Sequence, residues 1–291
     1  AGVIHMKKTI IAASIAAVVA APAAFADVKI SGNVIVEYVD ANMATNNDVN
    51  ISWSEDLGNG LKVSGKIKNA YDDGSNSPGD MAVAVSGDFG TIKAGRMEGF
   101  DESIFAAFVS VDAAHDLDLE ADYENGVGGT FGRDEQIQYH SPSMNGLSFA
   151  VNCQDSAGTA TEDSAMCDDN EVMVKYSANG LTAMAARSEE GTTEVDNIAV
   201  SYKMGDLELR AAKRDTNAAG TKKDAAFFGA KYTMGANTLT AGYVDSSETN
   251  GDATIVGISH AMSKKTSVYV VARDADTAGD GETAVGIAVK F

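Results

Sequence analysis

Cysteine and histidine, the residues that most often hold metals or act as nucleophile and base, are scarce in this sequence. There are two cysteines, Cys153 and Cys167, and four histidines among 291 residues. Neither cysteine has a histidine or a second cysteine close in sequence, which argues against a metal site. No serine or cysteine stands near His115 in an activating arrangement, and His140 and His260 occupy positions next to turns. The sequence therefore predicts neither an enzyme nor a bound cofactor.

Basic residues are also few. Lysine and arginine together number 22, against 42 aspartates and glutamates, and the formal net charge is −20. Such a surplus of acid argues strongly against nucleic acid as a partner. It suits a channel or a surface that favours cations.

Long apolar runs are missing after Ala26, so a helical membrane protein is excluded. The one apolar run, over residues 10–21, follows Lys7 and Lys8 and precedes an Ala-x-Ala site that ends at Ala26. This is the pattern of a Sec-type signal peptide. We expect residues 1–26 to be an N-terminal extension with that signal peptide, and residues 27–291 to be the mature exported domain.

Alternation of apolar and polar residues is the signal that remains, and it divides the mature chain into about 16 segments. Each is close to the roughly 9 to 11 residues that a tilted membrane strand needs. Short turns alternate with longer polar connections, which we expect near residues 41–48, 72–79, 99–132, 154–169, 188–193, 215–223, 245–251 and 274–282. The pattern predicts an all-β fold: a 16-stranded antiparallel transmembrane barrel with short periplasmic turns and longer external loops.

A repeated phrase supports this interpretation. An alternating run ends in tyrosine just before a turn that contains glycine, at Tyr139, Tyr176, Tyr202 and Tyr232. Aromatic rings held at one level of a sheet are typical of a membrane–water boundary. The last residue, Phe291, ends an alternating run, as the closing strand of such a barrel would. A barrel of this strand number encloses a water-filled channel.

One connection, over residues 99–132, is much longer than the others and combines apolar side chains with carboxylates. Its apolar residues are Phe100, Ile104, Phe105, Phe108 and Val111. Loops of this length are usually functional or disordered. We expect this one to fold into the lumen and to bury its apolar side chains against the barrel wall.

Lysines mark the wall of the expected channel. Lys62, Lys66 and Lys68 share one face of the third strand, opposite an apolar face. A lysine facing lipid near the bilayer midplane would cost about 2 to 4 kcal/mol, so these three must point into water. Lys93 and Arg133 join them by position.

The segment Ala94 to Glu98 and the hairpin RDEQIQYHSPSMNGLSFA, which starts at Arg133, resemble the general-diffusion porins of Gram-negative outer membranes. The resemblance implies a homotrimer whose long loop narrows the pore with acids that face a ladder of basic wall residues. It also places Arg96 in the pore, although alternation puts Arg96 on the lipid side, so we expect the strand to end or bulge near Gly95. The candidate acids are Asp101, Glu102, Asp112, Asp116, Asp118 and Glu120; the candidate bases are Lys62, Lys66, Lys68, Lys93, Arg96 and Arg133.

Two further sites are expected outside the channel. Cys153 and Cys167 flank a polar stretch in an exported chain, which favours a disulfide that staples an external loop over two free thiols.

Acidic loops that begin at Asp72 and Glu248 could bind Ca²⁺, although neither has an EF-hand spacing. They are more simply solvated loops, bridged by divalent ions to anionic lipid such as lipopolysaccharide.

The predicted function is passive diffusion of small hydrophilic solutes and ions across the cell outer membrane, with a preference for cations. Two alternatives stay open at this stage. One is a substrate-specific channel, and the other is a non-conducting barrel that acts as an adhesin or binding protein.

Overall fold

A computed structural model describes residues 27–40, 42–72, 75–110, 117–124, 134–154, 167, 169–247, 251–275 and 281–291. The extension and signal peptide expected over residues 1–26 lie outside the described residues.

Sixteen antiparallel strands form one closed barrel in which every strand pairs with its neighbours in sequence, and the first pairs with the last. The predicted barrel is thereby confirmed. The strands are β1 Asp27–Val39, β2 Asn42–Gly58, β3 Leu61–Asp72, β4 Ser75–Gly87, β5 Gly90–Met97, β6 Asp134–His140, β7 Leu147–Gln154, β8 Asp169–Ala178, β9 Leu181–Glu190, β10 Thr193–Met204, β11 Leu207–Ala218, β12 Thr221–Met234, β13 Asn237–Ser246, β14 Ala253–Ala261, β15 Thr266–Ala275 and β16 Glu282–Lys290.

The barrel closes where β1 meets β16. Their register runs from Asn33 opposite Lys290 to Val39 opposite Ala284. Beyond it, Phe291 and Gly32 exchange two backbone hydrogen bonds of 3.0 and 3.3 Å. The predicted closing role of the terminal phenylalanine is confirmed, since it continues the ladder by one more residue.

The strands are longer at the loop end than alternation alone indicates. The loops expected near residues 41–48, 72–79, 188–193 and 215–223 consist largely of strand, and only two residues separate the strands that they connect. β2, for example, begins at Asn42 and pairs there with Val39. Its residues 45–48 are polar on both faces, so backbone pairing continues where the apolar alternation has stopped. A hairpin that extends beyond the bilayer meets water on both sides, which removes the period-two signal.

The outward face of the barrel is apolar. Val172, Val174 and Tyr176 on β8 are 49%, 49% and 39% exposed, as expected for side chains that point away from the lumen. Equivalent residues on β10 and β12, among them Ile198 and Phe228, are exposed in the same way. No helix among the described residues is long and apolar enough to cross a membrane.

The long connection between β5 and β6 lies inside the barrel. Its described parts are the helix α1 over Phe100–Ile104, a π-helical turn over Phe105–Val109 and the helix α2 over Glu120–Glu124. α1 lies against β8 to β10, the π-helical turn against β10 to β12, and α2 against β12 and β13. The loop therefore follows one side of the inner wall.

The loop packs against the wall through a continuous apolar cluster. Its buried side chains are Phe100, Ile104, Phe108, Val109, Leu117, Leu119 and Tyr123. They contact small or apolar wall residues that include Ala186, Ala199, Ala212 and Phe227. Burial was predicted for Phe100, Ile104 and Phe108 and is confirmed; Phe105 is partly buried against the same cluster, and Val111 lies outside the described residues. Alanines on the wall let the helices approach closely, which holds the loop to that side.

Candidate channel site

Because the loop covers one side of the lumen, the open volume lies on the other side, between α1 and the inner wall of β1 to β6. It measures about 700 Å³. Small and hydroxylated side chains form much of this wall, including Ser52, Ser54, Ser64, Ala82 and Ala84, while Phe100 and Ser103 of α1 face them. Short wall residues keep this side of the barrel wide enough for water.

Charged residues of both signs border the open volume. The bases are Lys29, Lys66 and Lys93, and the acids are Asp27, Asp80 and Glu98. Lys29 and Lys66 both pair in register with Ser52, so they lie on either side of the same strand. The wall thus combines the ammonium groups of lysines with the short side chains of serines and alanines.

The lysines predicted for the wall occupy different positions along it. Lys66 forms an ion pair with Asp80 at 3.0 Å, and Lys68 lies 3.7 Å from Asp48. Lys93 borders the open volume, whereas Lys62 is exposed near the turn that joins β2 to β3. Two of the predicted bases, Lys66 and Lys93, therefore border the open volume. Arg133 lies outside the described residues.

Arg96 departs from the expectation drawn from the resemblance. β5 keeps an uninterrupted register with β4 through this residue, so there is no bulge at Gly95. Arg96 lies opposite Met81 and Glu135, on the side of the strand that points out of the lumen. The local irregularity is confined to the backbone of Gly95, whose φ of +137° is one that side chains rarely allow.

The predicted loop acids are dispersed. Asp101 is 4% exposed and lies against the wall, 3.9 Å from Arg214, so it departs from the expected position facing the channel. Glu102 and Asp118 are half-buried, and neither borders the described open volume. Asp112 and Asp116 lie outside the described residues, as does the side chain of Glu120. Among the described acids of this segment, Glu98, directly before α1, borders the open volume.

A buried carboxylate fixes the start of α1. Both carboxylate oxygens of Glu171 accept hydrogen bonds from the backbone N–H of Phe100, each at 2.9 Å. Ser188 and Asn152 donate to the same carboxylate at 2.7 and 2.6 Å. A negative charge suits the N–H groups at a helix start. The sequence reasoning missed Glu171, whose only signal was an acidic residue on the lumenal side of β8.

Three arginines hold other points of the loop. Arg214 lies between Asp101 and Glu124, at 3.9 Å from each. Arg210 donates to the backbone carbonyl of Ser110 at 2.8 Å. Arg273 donates to both carboxylate oxygens of Asp122, at 3.0 and 2.7 Å.

Tyr123 adds a neutral contact to these charged ones. Its hydroxyl donates to Asn197 on β10 at 3.0 Å. Burial raises the pKa of this hydroxyl well above its usual value, so it remains protonated and able to donate.

The two cysteines lie at the loop end of β7 and β8. Cys153 and Cys167 form a disulfide bond across 14 residues of sequence. The bond links the end of β7 to the start of β8 and encloses most of their connection.

No group of three or more histidine, cysteine, aspartate or glutamate side chains could hold a metal ion among the described residues. Of the two acidic segments considered for Ca²⁺, the first is mainly strand, since β4 begins at Ser75. The ring of His140 does not belong to a metal-binding group among the described residues; it packs edge-on against Phe100, with ring centres 5.7 Å apart.

A closed antiparallel barrel with an apolar outer face, an open volume bordered by charged residues and a loop folded inside it defines a transmembrane barrel channel. Residues 12–280 match the family model of the Gram-negative porins. The chain belongs to this family, and it is an outer-membrane diffusion channel and not an enzyme.

Solved structures with the same fold include several porins. The Salmonella typhi OmpF in complex with daunomycin superimposes with a TM-score of 0.75 at 16% identity, covering 91% of this chain and 97% of that one. An anion-selective porin from Comamonas acidovorans gives 0.69 at 17% identity, with 92% and 100% covered. A triple mutant of the Rhodopseudomonas blastica porin gives 0.71 at 14%, with 92% and 100% covered. No curated protein matches in sequence.

Proposed function

We propose that small hydrophilic solutes and ions cross the outer membrane through the open volume between α1 and the wall of β1 to β6. The observation that carries this proposal is the segregation of the lumen into two sides. The loop packs its apolar residues against β8 to β13, while ionic and hydroxyl groups border the opposite side. Water and polar solutes are stabilised on that second side, where they meet groups that can replace part of their hydration.

The proposed selectivity favours cations. Its source is the charge of the protein outside the open volume. Three bases and three acids border the open volume, so this part is close to neutral. The chain as a whole carries 42 acidic and 22 basic residues. The acidic surplus of the chain therefore lies outside the open volume, and where it flanks the entrances it would raise the local concentration of cations before they enter.

Within the narrow part, the proposed role of the wall lysines is to set a transverse field. Lys66 and Lys93 lie on the wall, whereas Glu98 lies on the side of the loop. Opposite charges across a narrow opening orient water and disfavour apolar solutes. Lys62 and Lys68 contribute from positions nearer the turn end and the loop end of β3, respectively.

We also propose that the protein is a homotrimer in the membrane. Support comes from membership of the porin family together with the apolar outer face, which offers a surface for neighbouring subunits as well as for lipid. Mass measurement of the detergent-solubilised protein tests this proposal, and a monomeric mass under conditions that keep the barrel folded would contradict it.

The functional test is a planar-bilayer recording under a salt gradient. We expect ohmic conductance and a reversal potential of the sign that indicates cation preference. Conductance with the opposite sign would contradict the proposed selectivity, and conductance that saturates with one solute would favour a substrate-specific channel. A folded barrel without conductance would favour a binding or adhesion role.

A further inference from the structure

We propose that Arg214 is a positioning residue that holds both helices of the inward loop against the wall and thereby keeps the channel open. This inference rests on the proposed channel function. It assigns to Arg214, and to its neighbours Arg210 and Arg273, a role distinct from that of the lysines: the arginines fix the width of the opening, and the lysines tune which ions pass through it.

The first argument is geometric. Arg214 projects from β11 and its side chain is 3% exposed. One end of its guanidinium lies 3.9 Å from Asp101 in α1, and the other end lies 3.9 Å from Glu124 in α2. A planar, permanently charged group can serve two carboxylates at once, which a lysine cannot do equally well. A single wall residue therefore connects the two helices of the loop.

The second argument concerns the charge balance around Arg214. Asp101 in α1 and Glu171 on β8 are both buried, at 4% and 0% exposure, and the carboxylate of Glu171 accepts from the first residue of α1. Glu124 adds a third carboxylate with a side-chain exposure of 18%. Buried charges are poorly screened, so carboxylates so close together need a cation among them. Removal of Arg214 takes away one attraction between loop and wall and increases the repulsion among these carboxylates.

The third argument is that the neighbouring arginines are also directed at the loop. Arg210, with 11% side-chain exposure, reaches the carbonyl of Ser110, and Arg273, with 18%, reaches Asp122. The described residues that border the open volume include three lysines but no arginine. The arginines on this wall thus contact the loop and do not border the open volume.

The expected movement of α1 is towards the open volume, because that is the side on which the loop has free space. β8 to β13 lie directly behind the loop, so repulsion from the wall can move α1 only towards the open volume. That volume is also the route of the ions. Weakening the contacts of Arg214 therefore obstructs the channel intermittently and does not widen it.

The experiment compares Arg214→Gln with Arg214→Lys and with the matched control Arg187→Gln. Arg187 lies on β9 and pairs with Asp196 on the outward face, with 42% of its side chain exposed. We expect Arg214→Gln to lose the single stable conductance level, with current that fluctuates among sublevels and closes at lower voltage. Arg214→Lys should recover part of the stable level, and Arg187→Gln should behave like the unaltered protein. In all three variants, the sign of the reversal potential should stay the same.

Retention of a single, unaltered conductance level by Arg214→Gln would overturn the proposal. If that variant does not fold, as judged by loss of β-sheet circular dichroism, Asp101→Asn tests the same contact from the loop side. Asp101→Asn is expected to produce sublevels too, and a steady current at the unaltered level would overturn the proposal in the same way. A different result, absence of conductance in the unaltered protein, would contradict the channel function itself.

Discussion

Tyr269 donates a hydrogen bond from its hydroxyl to the carboxylate of Glu37 at 3.0 Å, across the seam where the first and last strands meet. Gly286 on β16 pairs with Glu37 on one side and with Tyr269 on the other. Because Gly286 has no side chain, the tyrosine ring can lie over it and reach the first strand. Both bonded residues are buried, at 2% and 1% exposure. The bond therefore adds a side-chain contact to the backbone ladder that closes the barrel.

Tyr269→Phe removes this bond and keeps the ring. A buried polar group that loses a partner usually costs about 1 to 3 kcal/mol. We expect the folded barrel in detergent to lose its β-sheet circular dichroism at a lower temperature. Tyr176→Phe is the matched control, since Tyr176 lies on the outward face and is 39% exposed. Equal melting temperatures for the two variants would show that the seam contact does not stabilise closure.

Gly286→Ala tests the space that the ring requires. A Cβ at this position would lie 2.8 Å from Cε2 of Tyr269, closer than carbon atoms normally approach. We expect a lower melting temperature than for the unaltered protein. The double variant Gly286→Ala with Tyr269→Ala should be less destabilised than the sum of the two single variants, because the clash is then removed. Strictly additive effects would mean that the ring and the glycine do not interact.

The disulfide between Cys153 and Cys167 predicts a further difference in stability. Closing a loop of about 15 residues lowers the entropy of the unfolded chain by an amount worth about 3 kcal/mol. Cys153→Ser with Cys167→Ser should therefore melt at a lower temperature than the unaltered protein under oxidising conditions, and at the same temperature once a reductant is present. Conductance should not change, because neither cysteine borders the described open volume. A changed conductance would show that the bond also shapes the channel.

The parts of the structure that the sequence predicts are those governed by local periodicity. Alternation and turn residues predicted about 16 antiparallel strands, and the barrel has 16. The early part of β2 was missed, since strand pairing above the bilayer needs no apolar face. Burial of Phe100 and Ile104 was predictable because an apolar residue in a lumenal loop has only the wall to pack against.

The contacts of charged side chains could not be predicted in the same way. Asp101 and Arg214 are far apart in sequence, and no pattern indicates that the loop turns this acid towards β11. The resemblance to porins implied that the loop acids face the channel, whereas the structure places Asp101 in a buried ion pair. Which loop acid meets the wall depends on the rotation of a five-residue helix, and short helices carry little periodic signal.

The lysine wall gives the prediction that bears most directly on ion selectivity. Lys66→Gln and Lys93→Gln each remove one positive charge from the border of the open volume. Two unit charges about 4 Å apart interact by about 1 kcal/mol in water, and more strongly in a less polar channel. We therefore expect the ratio of cation to anion permeability to rise by a few-fold in each variant, measured as a shift of the reversal potential under a salt gradient.

Lys213→Gln is the matched control for this measurement. Lys213 is exposed and pairs with Asp215 at 2.7 Å. It aligns in register with Ile198, on the outward face of the barrel, so its loss should leave the reversal potential unchanged. Lys62→Gln should have a smaller effect than Lys66→Gln, because Lys62 does not border the described open volume. If Lys66→Gln and Lys93→Gln left the reversal potential where it was while Lys213→Gln moved it, ions would not pass along the wall of β1 to β6, and the route proposed for them would be wrong.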